Sequence, residues 1–358
     1  MAWPVLLLAR ELDLGGSERQ MTEIAKALDR SRFTPHVGCF RPQGIRSAEL
    51  AAAGVPIVHF PVDSFVSFRA ITEARNLRRY IRRHGIRLVH TFDCPLTVFA
   101  VPVARWLTRA VVVSSQRSHR ELIPGKYRAM VPITDRLADA IVVNCEFVRR
   151  HLEVDEGVQP EKIRLCYNGV DLEEFRPAAN LRDDIVIGTL CALRPEKDLG
   201  ILIEAFARVR RAGLRLSIVG SGSMLEQLRS QAEARGLAPD CIFTPATANA
   251  VECLHAIDIF VLPSRSEALS NSLLEAMACG CCPVASRVGG NIELIRHAEN
   301  GMLFEAGDVD QLSGLLNVLL EQRELRQQLA AKARSVAQRF SIGASARRME
   351  AIYTELIR

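Results

Sequence analysis

The sequence predicts an α/β protein built as two doubly wound parallel-sheet domains that face each other across a cleft. Three features carry this reading. Thirteen short apolar runs are continuous rather than alternating, as in strands covered on both faces, and segments of helical periodicity separate them. At 358 residues the chain is longer than one core usually supports. A polar stretch containing Pro177 interrupts the pattern near the middle, and a fresh strand follows it.

In chain order the strands of the first half fall at residues 5–9, 36–40, 57–60, 87–90, 111–114, 140–144 and 163–167. Those of the second half fall at residues 185–190, 215–219, 241–243, 258–262, 283–286 and 302–304. The first domain is therefore assigned to residues 1–171, a linker to 172–184 and the second domain to 185–340. Residues 341–358 read as a separate helix packing back on the first domain. Ligands of such sheets bind beyond the carboxyl ends of the strands, which puts the chemistry in the loops that follow them.

Composition narrows the class. With 48% hydrophobic and 24% charged residues the chain is globular rather than disordered. The run at residues 5–9 is cut short by Arg10 and Glu11, and no segment reaches the roughly 18 apolar residues of a membrane span, which points to a cytoplasmic protein. Cys39, Cys145, Cys166, Cys191 and Cys241 sit singly in or beside strand-like runs, the pattern of reduced core thiols. Cys279, Cys281 and Cys282 cluster without a histidine or C-x-x-C spacing, so no metal and no other cofactor is assigned. Residues 1–171 carry 25 Lys and Arg against 18 Asp and Glu, and the remainder 21 against 23, so the first domain is the one suited to an anionic partner. No nucleic-acid partner is assigned.

Three strand–turn–helix junctions stand out. In "LGGSERQMTEIAKAL", Ser17 and Gln20 have capping-box spacing, and Gly15 and Gly16 precede the helix, where backbone N–H groups face a phosphate or a sugar oxygen. A plain turn is the alternative. In "CALRPEKDLGILIEAFARVR", Pro195 suits a first helical turn, which places Arg194 and Lys197 at a positive helix end; an anion such as a diphosphate accounts for them better than the helix does, with solvated charges as the alternative. "LRLSIVGSGSMLEQL" lacks the third glycine of a dinucleotide fingerprint, and no acidic residue ends the next strand, which argues against a dehydrogenase.

The stretch "LPSRSEALSNSLLEAMACGCCPVASRVGG" is the most informative. Between Arg265 and Arg287 its only charges are Glu267 and Glu275, in surroundings that read as protein interior, and a buried carboxylate needs donors or a proton. Leu273, Leu274, Met277 and Ala278 place a helix start near Ser270 or Asn271, so Glu267 lies in the loop before it and Glu275 about one turn inside. Two carboxylates at such a junction accept from vicinal hydroxyls, as in sugars and riboses, while the amides of Leu269, Ser270 and Asn271 face phosphate.

"PSRSEALSNSLLEAMACGCCPVASRVGGNIELI" resembles the signature of the retaining family-4 glycosyltransferases of GT-B fold, in which two glutamates separated by seven residues bracket a nucleotide-sugar. "LGGSERQM", "VVNCEFVRRHL", "KIRLCYNGVDLEEFRP", "LRPEKDL" and "IVGSGSM" match in that family's order, over essentially the whole chain. The resemblance implies that Glu275 holds the donor ribose and Glu267 the transferred sugar. It implies that Lys197 neutralises the leaving diphosphate, that Gly15 and Gly16 approach it, and that Ala268, Leu269, Ser270 and Asn271 complete donor binding. It also implies retention of anomeric configuration and a UDP-sugar donor, with a lipid-linked or polysaccharide acceptor in cell-envelope glycan synthesis, lipopolysaccharide included. Two positions depart from the pattern. Ala192 stands where the family commonly has an arginine, leaving Arg194 as its substitute; Gln116 stands where a histidine is common, leaving Arg117 and His119 as neighbours, His119 facing either the donor sugar or the surface.

Other features read more plainly. Asp308 and Asp310 imitate a metal-binding Asp-x-Asp, but they directly precede a helical pattern, so Asp308 is an N-cap. His90 closes a strand and reads as a core or cleft histidine, and Glu293 as a residue near the cleft. Arg75, Arg78, Arg79, Arg82 and Arg83 recur at helical spacing opposite Ile71, Ala74, Leu77 and Ile81, which suits either a solvated face or contact with an anionic membrane. A GT-B-like nucleotide-sugar 2-epimerase and a non-catalytic sugar-nucleotide- or glycan-binding protein are the competing functions; intact Glu267, Glu275 and Lys197 argue against the latter.

Overall fold

The computed structural model describes residues 2–178 and 185–358. The chain divides into two compact units, Met1–Gly169 with Ile342–Arg358, and Val170–Ser341. Residues 179–184 of the expected linker lie outside the described residues.

The first unit is a seven-stranded sheet of β1 (Trp3–Glu11), β2 (Phe33–Arg41), β3 (Ile57–His59), β4 (Leu88–Thr91), β5 (Val111–Gln116), β6 (Ala140–Val143) and β7 (Ile163–Leu165). Their order is β3-β2-β1-β4-β5-β6-β7, and the pairings are parallel, with Leu7 opposite Val37 on one side and His90 on the other. The helices are α1 (Gly16–Ala27), α2 (Ile45–Ala52), α3 (Phe68–Arg83), α4 (Cys94–Leu107), α5 (Gly125–Arg128), α6 (Val131–Leu137) and α7 (Glu146–Val154). Side chains alternate between the two sheet faces: Val5, Leu7 and Ala9 enter the core under α1, Leu6 and Leu8 the core under α3 and α4.

The second unit has six strands, β8 (Ile185–Leu190), β9 (Leu214–Val219), β10 (Cys241–Thr244), β11 (Ile259–Leu262), β12 (Cys282–Ser286) and β13 (Met302–Phe304), ordered β10-β9-β8-β11-β12-β13 and again parallel. Its helices are α8 (Leu199–Val209), α9 (Leu225–Ala234), α10 (Ala250–His255), α11 (Asn271–Cys279), α12 (Asn291–Leu294), α13 (Val309–Glu321) and α14 (Arg323–Ala337). Each of the thirteen predicted strands is present, because a continuous apolar run between turn signals is legible without tertiary context.

The last helix, α15 (Ile342–Ile357), belongs to the first unit. Met349, Ile352 and Tyr353 are buried with Phe33, Val37 and Leu88, and the Tyr353 ring meets Phe33 edge-on at 6.0 Å. The Tyr353 hydroxyl lies 2.7 Å from His90 Nδ1, whose Nε2 is 2.8 Å from Ser115 Oγ. Burial, and then the nearby Arg117 charge, hold His90 well below its ordinary range, so a neutral imidazole links sheet and helix.

Three local expectations need correction. Ser17 does not cap α1: Gly15 holds the N-cap position, and the Gln20 amide instead donates to Gly169 O at 2.8 Å and accepts from Gly169 N at 2.9 Å. A buried backbone needing both partners outcompetes a solvent-side cap. The helix expected from Pro195 is broken: Pro195–Lys197 is a 3₁₀ turn, Asp198 turns left-handed with φ 48°, and α8 begins only at Leu199. In α3 the buried face is Ala70, Glu73, Leu77 and Ile81, whereas Ile71 is 50% exposed, beside Phe68 at 90% and Val66 at 98%.

Candidate functional site

In the second unit the loops after β8, β11 and β12 bring the charged residues together. Lys197, at the end of its 3₁₀ turn, donates to Glu267 Oε1, and Ser264 Oγ donates to the same oxygen at 2.8 Å. Both ionic side chains are mostly buried, 17% exposed for Lys197 and 9% for Glu267. Burial alone pulls the Lys197 ammonium down, but the Glu267 carboxylate outweighs it and leaves the lysine above its ordinary value. The carboxylate that the sequence singled out as needing a partner therefore has two.

The loop holding Glu267 is fixed from behind. Ser286 Oγ, at the end of β12, donates to Ser264 O at 2.5 Å, and Asn291 Nδ2 donates to Ser286 O at 3.1 Å. Gly290 N donates to Ala268 O at 3.1 Å, an approach so close that a β-carbon at Gly290 would collide with that carbonyl. Ser270 caps α11, its hydroxyl accepting from Leu273 N at 3.3 Å, so the expected helix start holds. Glu275 lies one turn inside α11 at 4% exposure, and Ala268, Leu269 and Ser270 are buried in the loop between the glutamates. Arg194 is exposed and makes no ion pair among the described residues, so nothing brings it to the Lys197–Glu267 pair. Asp308 caps α13, accepting from Gln311 N at 2.8 Å, and Asp310 pairs with Arg208.

The first unit gathers a different set. Glu18, in the first turn of α1, folds its carboxyl over Gly15, where the sequence suggested an anion; a β-carbon on Gly15 would strike it. Burial first, then Asp93, push Glu18 up to about 7. Asp93 caps α4, accepting from Leu96 N at 3.0 Å and from Arg10 N, and burial pushes it up to about 6. His119 opens a 3₁₀ turn and stacks on His151 with ring centroids 3.9 Å apart; burial and His151 both lower it. Gln116 Nε2 donates to Ser118 O at 2.9 Å, and Arg117 donates to Asn168 Oδ1.

Sequence reasoning missed Ser264, the Asp198–Arg265 pair and the electrostatic coupling of Glu18 to Asp93. Ser264 stands three residues before Glu267, and Asp93 two before Pro95, a capping pattern legible in retrospect. No sequence spacing marks the other two pairings, which join residues 67 and 75 positions apart.

Comparison with known proteins agrees with this architecture. Residues 14–174 match the model "Glycosyltransferase Family 4", and residues 171–336 match "Glycosyl transferases group 1". The chain is 31% identical over 283 residues to a D-inositol 3-phosphate glycosyltransferase of Acidothermus cellulolyticus, an alignment covering 72% of this chain and 60% of that relative's length. Among solved structures, Anabaena Alr3699/HepE in complex with UDP and glucose superposes with a TM-score of 0.87 at 23% identity, covering 98% of this chain and 99% of that one. Sucrose-phosphate synthase from Thermosynechococcus elongatus gives 0.85 at 17% identity, covering 99% of each chain. The fold is that of the GT-B glycosyltransferases, two Rossmann-like units, and with both family models matched in sequence along it, the chain belongs to the glycosyltransferases of the group 1/family 4 type.

Proposed function

We propose that the protein transfers a sugar from a nucleotide-diphosphate donor, a UDP-sugar, to a lipid-linked or polysaccharide acceptor in cell-envelope glycan synthesis, with retention of configuration. The observation that carries this reading is the buried Lys197–Glu267–Ser264 cluster one loop from Glu275. A mostly buried lysine paired to a single carboxylate is a charge store. An arriving diphosphate competes for the ammonium and frees Glu267 Oε1 to accept from sugar hydroxyls, while Glu275 takes the ribose. As the donor bond breaks, charge grows on the departing phosphate and Lys197 stabilises it. The leaving phosphate takes the acceptor proton on the same face, which accounts for retention. The UDP named with the Anabaena structure supports the choice of base.

Arg194 and His119 keep only supporting roles in this proposal: Arg194 is free to swing toward a diphosphate, and His119 is stacked on His151. The acceptor class is supported by α3, where Phe68 and Ile71 share the exposed side with Arg75, Arg79, Arg82 and Arg83, a combination suited to an anionic membrane surface. Among the described residues no helix is long and apolar enough to cross a membrane. The test is a thermal-shift screen against nucleotide-sugars followed by product analysis. Stabilisation by a UDP-sugar, with transfer only when acceptor is added, supports the transferase. Epimerised sugar or free UDP without acceptor identifies a 2-epimerase instead.

A further inference from the structure

Arg117 is a cation that the donor chemistry leaves unused. It follows β5 at the carboxyl edge of the first unit's sheet, partly buried, with its guanidinium carbon 5.7 Å from the centre of the Phe92 ring. Its hydrogen bond goes to a neutral partner, Asn168 Oδ1, and no carboxylate pairs with it among the described residues. Burial draws it down to about 10 from an ordinary 12.5; the Cys166 and Cys145 thiols and the Glu18 carboxyl act weakly the other way. Charges withdrawn from water are normally paired, and a guanidinium presents its donors as a fork matching two oxygens of one phosphate or carboxylate.

The neighbourhood adds hydroxyl recognition. Asn144 ends at the same sheet edge, 2% exposed, with a buried Oδ1 that has no hydrogen-bond partner, and the next residue, Cys145, is close enough to act on the Arg117 charge. Asn168 is held against α1 through the two hydrogen bonds between Gln20 and Gly169. An unsatisfied buried acceptor beside an unpaired cation fits a molecule bearing both hydroxyls and an anion. We propose that Arg117 is the receptor for an oxyanion, phosphate or carboxylate, carried by the acceptor, so that the acceptor is an anionic sugar or polyol unit. This rests on the transferase reading above, in which the donor diphosphate has its own cation in Lys197.

The test titrates the whole protein with inorganic phosphate and, separately, with UDP. Arg117→Gln loses phosphate affinity by about tenfold, as expected for removal of a charge-assisted fork, while Arg117→Lys keeps part of it. UDP affinity stays within about twofold in both variants, since a 1.4 kcal/mol change would be tenfold. Glu18→Gln at about pH 8 removes an opposing charge and tightens phosphate binding, and does so less in an Arg117→Lys background, which separates Arg117 from the glycine turn that Glu18 also covers; this readout stands even if Arg117→Gln fails to fold. Equal phosphate affinity in wild type and Arg117→Gln, or no tightening in Glu18→Gln, makes Arg117 a solvated structural cation and overturns the proposal. A tenfold loss of UDP affinity assigns the oxyanion to the donor and overturns it as well. If no nucleotide-sugar is turned over at all, the transferase reading fails, but the phosphate titration still decides the role of Arg117.

Discussion

Arg265 Nε donates to Asp198 Oδ2 at 2.7 Å while Arg265 N donates to Glu196 O at 2.8 Å, so the loop carrying Glu267 is tied to the turn carrying Lys197. Asp198 sits at φ 48°, a left-handed conformation that costs a non-glycine residue about 1 kcal/mol. Asp198→Gly removes that cost together with the tie. We expect its melting temperature to hold or rise while turnover falls several-fold, about 1 kcal/mol in the barrier. Loss of stability and activity in step would mean that the pair only supports the fold.

Glu275→Ala and Glu267→Ala should separate kinetically. A ribose contact persists from ground state to transition state, so Glu275→Ala raises the donor dissociation constant; a contact near the reacting carbon strengthens as charge develops, so Glu267→Ala lowers turnover. Glu267→Ala also strands Lys197, mostly buried, and should cost about 2 kcal/mol of stability. Unchanged donor affinity in Glu275→Ala sinks the ribose assignment.

Transfer is expected to need no divalent metal. Asp308 is occupied as a helix cap and Asp310 by Arg208, which leaves Lys197 as the fixed charge for the departing diphosphate. Activity should survive EDTA, and Lys197→Ala should abolish it with or without magnesium. Loss in EDTA with full recovery on adding Mg²⁺ or Mn²⁺ would contradict this.

Stability should fall as pH rises through the acid range. Glu18 titrates at about 7 in the folded protein against 4.5 ordinarily, and Asp93 at about 6 against 3.8. The unfolded chain therefore releases these protons first, and folding is progressively disfavoured up to about pH 7. Glu18→Gln should remove much of that slope and add about 2 kcal/mol at pH 8, with no gain at pH 4. His90 works in the opposite sense: below its ordinary 6.5 the unfolded chain takes a proton that the folded protein refuses, so its contribution falls on acidification, against the carboxyl trend, and Glu18→Gln should leave that limb in place. A flat difference between wild type and Glu18→Gln across this range would remove the burial account of Glu18.

Membrane contact should be electrostatic with an apolar component. Co-sedimentation with anionic liposomes should weaken with salt and when Arg75, Arg79, Arg82 and Arg83 become glutamine, each cation contributing about 1 kcal/mol. Phe68→Ser should weaken it at all salt concentrations, because Phe68 is 90% exposed and its insertion does not depend on charge. Equal binding to neutral liposomes would exclude the arginines.

What the sequence disclosed follows its range. Strands and buried helix faces were legible because they depend on residues within one run; Leu199, Leu202, Ile203, Phe206 and Val209 are buried as their spacing requires. Glu267 and Glu275 were legible as anomalies, charges where apolar residues belong. The partner of Glu267 was not, since Lys197 lies 70 positions away and only sheet order brings β8 beside β11. The capping box at Ser17 failed for the same reason: a distant peptide at Gly169 claimed Gln20. Ile71 was misplaced because the helical period leaves the buried face of α3 uncertain by one residue, and Glu73 took an inward place.

The return of α15 to the first unit makes that unit a product of two segments, one on each side of the second unit in sequence. On the ribosome the second unit has emerged in full before Tyr353 reaches His90, so the first sheet must wait through roughly 170 residues of synthesis with Phe33, Val37 and Leu88 uncovered. A fragment ending at Gly169 should accordingly be prone to aggregation, and adding the peptide 342–358 in trans should rescue its solubility. The order of synthesis thus assigns the two units opposite burdens: one can settle as it appears, and the other depends on a helix made only after its neighbour.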